Sequence, residues 1–136
     1  MKSESYTNEF LGLQCSGDVL NVCSPLGNKS QKEITESMGM IKRIRSIFLS
    51  NPMEYSMVDL CAGNALTSVL AVHLLPVEVA RAIDIKPRKR KWNKAKRFIY
   101  DELDIYRETI FDCIGCNTVI ICVHGCKDLA RRVIEI

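Results

Sequence analysis

The chain has 136 residues, of which 47% are hydrophobic and 26% charged, and its formal net charge is +3. These values predict one globular domain with a single core, and they exclude a low-complexity protein. No stretch approaches the roughly 18 to 20 consecutive apolar residues that span a bilayer. The first nine residues contain two acids and no apolar run, so no secretory signal is expected.

The elements of the first half follow from periodicity and turn residues. Residues 1–29 carry turn formers and little periodicity, which predicts an irregular N-terminal extension, with the folded domain at 30–136. Ser30 and Glu33 form a capping-box pattern, so a helix should begin there and end before Pro52. A strand is expected at 55–60, a helix at 64–75 with His73 as a packing residue, and a strand at 78–85.

The second half continues the same alternation. One short helix is predicted after Pro87, a third strand begins at Phe98 and closes at Asp104 and Ile105, and residues 117–123 form a buried strand. Residues 127–136 predict a last helix with Leu129, Val133 and Ile134 on one side. The fold class is therefore α/β, a Rossmann-like, mainly parallel, doubly wound sheet.

Residues 57–85 have the order of a nucleotide-binding βαβ unit. An apolar strand leads into a turn of small residues around Gly63, a helix follows, and the next strand ends in Asp84. Small residues let a ligand approach the backbone, and the helix start offers free N–H groups. An acid about 20 residues downstream can accept hydrogen bonds from ribose hydroxyls.

The motifs of this unit resemble those of class I S-adenosylmethionine-dependent methyltransferases. The resemblance covers about residues 31–136. It includes Asp-Leu-Cys-Ala-Gly at 59–63, an acid after the second strand (Asp84) and an acid after the third (Asp104). With Val-His-Gly-Cys-Lys-Asp-Leu at 123–129, the chain is similar to the relatives of methyltransferase-like 25 and transfer-RNA methyltransferase 13.

The resemblance implies S-adenosylmethionine as cofactor and a role for each matching residue. Asp84 with Ile85 would hold the ribose, Asp104 with Ile105 would hold the adenine, and His124 would be a catalytic or substrate-facing residue. The turn that would bind the methionine part consists of Asp59, Cys61, Ala62, Gly63 and Asn64. The alternatives remain open: Asp84 and Asp104 could cap helices, and His124 could be a hydrogen-bonded structural group.

The chain also departs from the family pattern. Only Gly63 of three expected alternating glycines is present, and Ala65 could crowd or shift the cofactor. The sheet, ordered 3-2-1-4, would be truncated after strand four, leaving an open edge for a partner or a second copy. The second hypothesis is therefore a non-catalytic binding or scaffold module. A dinucleotide-dependent oxidoreductase is disfavoured because Gly-x-Gly-x-x-Gly is absent.

The segment at 86–97 concentrates the positive charge. It holds eight basic residues and no acid, so removing these eight from the net +3 leaves −5 on the rest. Such a cluster with one aromatic residue predicts contact with RNA, whereas a solvated helix or a nuclear-import signal is the alternative. The residues are Lys86, Arg88, Lys89, Arg90, Lys91, Trp92, Lys94, Lys96 and Arg97.

The seven cysteines are interpreted as reduced thiols in a cytoplasmic protein, because the count is odd and several lie in apolar runs. Cys113, Cys116, Cys122, His124 and Cys126 suggest zinc at first sight. An extended fourth strand would separate Cys116 from His124 by about 26 Å at ~3.3 Å per residue. We therefore predict no metal site.

Overall fold

The computed structural model describes residues 2–123 and 127–136. This part of the chain forms five α-helices and four β-strands, and two 3₁₀ turns lie at Trp92–Lys94 and Glu108–Cys113. The elements are α1 (Lys2–Leu11), α2 (Ser16–Cys23), α3 (Ser30–Ser50), β1 (Ser56–Leu60), α4 (Leu66–Leu74), β2 (Ala80–Asp84), β3 (Phe98–Glu102), β4 (Thr118–Ile121) and α5 (Lys127–Glu135).

The four strands form one parallel sheet in the order β3-β2-β1-β4. Asp59 of β1 lies opposite Ala82 of β2 and Ile121 of β4, so the carboxyl ends of the strands meet at one edge. The predicted α/β, Rossmann-like class and strand order are confirmed. All pairs are parallel, which is stricter than the predicted mainly parallel sheet.

Helices cover both faces of the sheet. On one face α3 and α4 bury residues such as Phe48, Leu66 and Leu70 against Met57. On the other face Val58, Leu60 and Ile83 pack with residues of the second 3₁₀ turn and of α5. This double covering explains why β1 is buried from Met57 to Leu60 and why three of the five residues of β2 are buried.

The prediction of an irregular extension at 1–29 is wrong. Its residues form α1 and α2, and Phe10 and Val19 are both fully buried. The turn formers lie mainly at the ends of these helices, in the connections after Leu11 and after Cys23. The helices are short and depend on packing against α3 and α4, a tertiary effect that local periodicity does not show.

Five smaller predictions also differ from the structure. Helix α3 does begin at Ser30, but no side-chain cap bond forms there. His73 is exposed, Ile134 is 86% exposed, and the segment after Pro87 is irregular apart from its 3₁₀ turn. Strand β4 is only half-buried because it is the edge strand.

Across the described residues, every helix is too short or too polar to cross a bilayer.

Candidate functional site

A cavity of about 440 Å³ opens at the carboxyl ends of β1, β2 and β3. Six of the nine residues predicted to bind a cofactor line it: Cys61, Gly63, Asp84, Ile85, Asp104 and Ile105. The parallel sheet brings these three sequence segments together, as expected for ligand sites in this architecture. The volume lies within the range of small-molecule sites, roughly 300 to 1,000 Å³.

The turn after β1 has an unusual backbone. Cys61, Gly63 and Ala65 all adopt the left-handed conformation, with φ of 60°, 61° and 58°. These are the three alternating positions at which the resemblance expects glycines, so the backbone adopts the glycine-type shape with only one glycine. Ala65 is fully buried and lies outside the cavity lining, so its methyl group does not crowd the cavity.

Asp84 joins the ends of β1 and β2. Its carboxylate accepts hydrogen bonds from the backbone N–H of Gly63 at 2.8 Å and of Lys86 at 3.0 Å. A carboxylate offers about four acceptor positions, so ribose hydroxyls can still bind to the remaining ones. Asp84 therefore has a structural role in the turn as well as a place in the cavity wall.

The far side of the cavity combines one acid with apolar groups. Asp104 accepts a hydrogen bond from the backbone N–H of Tyr106 at 3.0 Å, and Ile105 is buried beside it. Leu103 and Leu129 complete an apolar wall. An acceptor next to an apolar slot suits a flat heterocycle that carries an amino group.

Asp59 is buried beneath the turn. One carboxylate oxygen accepts a hydrogen bond from the Ser68 hydroxyl at 3.2 Å, while the other has no partner among the described residues. Burial raises the pKa of Asp59 to about 8, although the Ser68 hydrogen bond opposes the shift. Asp59 thus supports the turn from below and does not line the cavity.

Asn64 is a buried polar hub and not a cavity residue. Its amide nitrogen donates to both carboxylate oxygens of Glu33, at 3.1 and 3.2 Å. Its oxygen accepts from Arg90 at 2.9 Å and from Arg88 at 3.2 Å. Ala62, the neighbouring residue of the predicted set, is also buried and outside the cavity lining.

Half of the basic segment is engaged inside the protein. Arg90 donates to the carbonyls of Cys23 and Pro25, and Arg97 donates to those of Val72 and Val77. Arg88 bonds to Asn64, and Lys91 bonds to the Asn21 side chain. The exposed lysines for which the structure shows no such bond are Lys86, Lys89, Lys94 and Lys96.

Trp92 belongs to an aromatic cluster inside the protein. Its ring stacks on Tyr100 at 4.7 Å between centroids and also contacts Phe98 at 5.5 Å. Part of the ring is therefore used in internal packing, and its contact with RNA stays a prediction.

His124 and Cys126 lie outside the described residues, so the predicted roles of this segment stay predictions. Within residues 2–123 and 127–136, no group of three or more histidine, cysteine or acidic side chains is placed to hold a metal ion.

Sequence reasoning missed several cavity residues. Lys86 and Arg88 reach the rim, and Leu103, Tyr106 and Leu129 complete the wall. Lys86 and Leu103 could have been found, since each lies one or two residues from a predicted site residue. Leu129 comes from α5 and carries no local signal.

Comparison with models of known protein families, with curated proteins and with solved structures finds no match to this chain.

Proposed function

We propose that this chain is an S-adenosylmethionine-binding methyltransferase domain. The observation that supports this most is the cavity at the strand ends, which gathers Asp84, Asp104 and the left-handed turn around Gly63. The two acids lie on successive strand ends, and the apolar wall lies between and beside them. This arrangement suits an adenosine moiety with a polar tail along the turn.

The residues present fit this cofactor. Free lone pairs of Asp84 would accept the ribose hydroxyls, and Asp104 would accept the adenine amino group while Ile105 packs on the ring. When bound, the cofactor supplies an already electrophilic methyl group, so the protein chiefly aligns the acceptor. Lys86 and Arg88 at the rim would orient an anionic group of the acceptor.

Calorimetric titration with S-adenosylmethionine and S-adenosylhomocysteine tests the proposal, with NAD as the control. We expect micromolar binding of the first two alone. Asp104→Ala should weaken binding tenfold or more, since a hydrogen bond to a charged group contributes ~1.5–3 kcal/mol. Asp112→Ala, an exposed acid outside the cavity lining, is the matched control. Absence of binding to the folded chain would refute the cofactor assignment.

RNA is the substrate class that we propose, in the cytoplasm, with the exposed lysines of the 86–97 segment as contacts. Four phosphate contacts predict that log K falls with log salt at a slope of about −3, against about −6 for eight contacts. Neutralising Lys89 and Lys94 should halve the slope, whereas Lys32→Gln on α3 should leave it unchanged. A flat salt response would remove RNA from the proposal.

A non-catalytic module of the same fold is the second candidate. Within the part of the chain that the structure describes, no strand pairs with the outer edge of β4, and Thr118, Val119 and Ile120 are only partly buried. Such an edge suits pairing with a partner or a second copy. Cofactor binding without methyl transfer to any RNA would favour this candidate, and concentration-dependent dimerisation would identify the second copy.

A further inference from the structure

Two cysteines that are distant in sequence meet at the carboxyl edge of the sheet. Cys61 follows β1 directly and Cys122 follows β4 directly. Neither forms a disulfide in the structure, both are half-buried, and their thiols are hydrogen-bonded to each other. The parallel pairing of β1 and β4 produces this contact. Asp59 and Ile121 are the last paired residues of the two strands, and the cysteines follow shortly after them.

The strand geometry favours a covalent bond between them. If the register of β1 and β4 continues by one residue, Cys122 faces the residue that precedes Cys61. Neighbouring strands are ~4.8 Å apart, and each residue advances ~3.3 Å along a strand. These values give a Cα–Cα separation of about 5.8 Å, inside the usual disulfide range of roughly 4.4 to 6.8 Å. A bond can therefore form with little movement of the backbone.

Small oxidants can approach the pair from two sides. Cys61 lines the cavity of about 440 Å³ described above. Cys122 lines a second cavity of about 590 Å³ between α3 and the end of β4, together with Met40 and Arg43. The thiol contact thus lies in the wall between two openings.

We propose that Cys61 and Cys122 are a redox modification site that forms a reversible intramolecular disulfide. With a low-molecular-weight disulfide as oxidant, one thiolate attacks it and releases one thiol as leaving group. The second cysteine then attacks the mixed disulfide and releases the other. The pair loses two protons and two electrons, and glutathione disulfide is reduced to two glutathione molecules.

The surroundings make this oxidation slow near neutral pH. The hydrogen bond with Cys122 raises the pKa of the Cys61 thiol, and burial and the nearby charge of Asp84 raise it further. Because the thiolate is the attacking species, the reduced pair should persist against brief oxidant exposure. The rate should increase as the pH rises.

Mass spectrometry of the full chain equilibrated with glutathione disulfide tests the site. We expect a product that has lost two hydrogens and in which tryptic peptide 46–81, whose one cysteine is Cys61, is joined to peptide 108–127. The second peptide also carries Cys113, Cys116 and Cys126, so fragmentation of the joined peptides must place the bond at Cys122. A bond to any of the other three, or only mixed glutathione adducts, would overturn the proposal.

Matched variants give a second readout. Cys122→Ser should abolish the joined peptides, whereas Cys113→Ser and Cys126→Ser should retain them. Closing a loop of about 60 residues should also raise the melting temperature of the oxidised chain by on the order of 10 °C. An unchanged melting temperature in a chain shown to hold the bond would indicate strain and would contradict the geometry argued above. None of these readouts depends on the proposed cofactor.

Discussion

Asn64 offers a sharp test of the polar hub behind the candidate site. Its side chain links the turn after β1 to Glu33 of α3 and to Arg88 and Arg90 of the basic segment. Only 8% of the residue is exposed, so water cannot easily replace these partners. We expect Asn64→Ala to lower the free energy of unfolding of the ligand-free chain.

The size of the loss follows from the bonds removed. Hydrogen bonds to charged groups contribute ~1.5–3 kcal/mol each, which for three charged partners sets an upper bound of roughly 5–9 kcal/mol. Glu33 and the two arginines carry opposite charges, and without the amide between them they can approach each other and recover part of that energy. We therefore expect a net loss of about 2–3 kcal/mol.

Urea unfolding followed by circular dichroism measures this loss. Asn21→Ala is the control, because Asn21 is exposed and accepts one bond, from the Lys91 ammonium. It should change stability by less than about 0.5 kcal/mol. If Asn64→Ala kept wild-type stability but bound S-adenosylhomocysteine more weakly, the hub would be unimportant and the predicted cofactor role of Asn64 would stand instead.

Three further outcomes are expected. Asp59 holds its proton in the folded chain to about pH 8 but loses it near 3.8 when unfolded, so stability should fall between these values by up to ~1.4 kcal/mol per pH unit. An Asp59→Asn variant with the same pH profile of urea midpoints would refute this. The Cys61→Gly variant should be more stable than Cys61→Ala by about 1 kcal/mol, because φ at this position is 60°. The reverse order of stability in chemical denaturation would contradict the argument that the backbone is strained here. Phe10→Ala should lower the free energy of unfolding by about 3–5 kcal/mol, whereas Leu11→Ala, at an exposed position, should lower it by less than about 1 kcal/mol. Equally small losses in both variants would show that α1 is dispensable.

The sheet and the strand ends could be predicted from the sequence because each signal was local. Short apolar runs bounded by turn residues indicate strands, and the acids at Asp84 and Asp104 follow such runs directly. Once the strands are parallel and ordered β3-β2-β1-β4, these acids must lie at one edge. The confirmed part of the prediction therefore depended on periodicity for the elements and on the family resemblance for the order of the strands.

The basic segment shows what local signals leave out. Charge counting predicts that all eight cations face a partner, yet Arg90 and Arg97 bond to main-chain carbonyls of distant elements. Those carbonyls are left free by the ends of α2 and α4 and by the loops that follow them, and no sequence pattern marks them as acceptors. Residues 1–29 failed for the same reason, since their helices are stabilised by α3 and not by their own periodicity.

The turn at 61–65 connects the strained backbone to the candidate function. A non-glycine residue in the left-handed region costs roughly 1–2 kcal/mol, so Cys61 and Ala65 remain there only if their surroundings hold them. The surroundings do so at each position. The Cys61 thiol is hydrogen-bonded to that of Cys122, Asp84 accepts a hydrogen bond from the Gly63 N–H, and Ala65 is fully buried at the start of α4. The shape that glycines would permit is thus imposed by tertiary contacts. Missing glycines therefore do not argue against a ligand site here, and strain kept next to a cavity favours one.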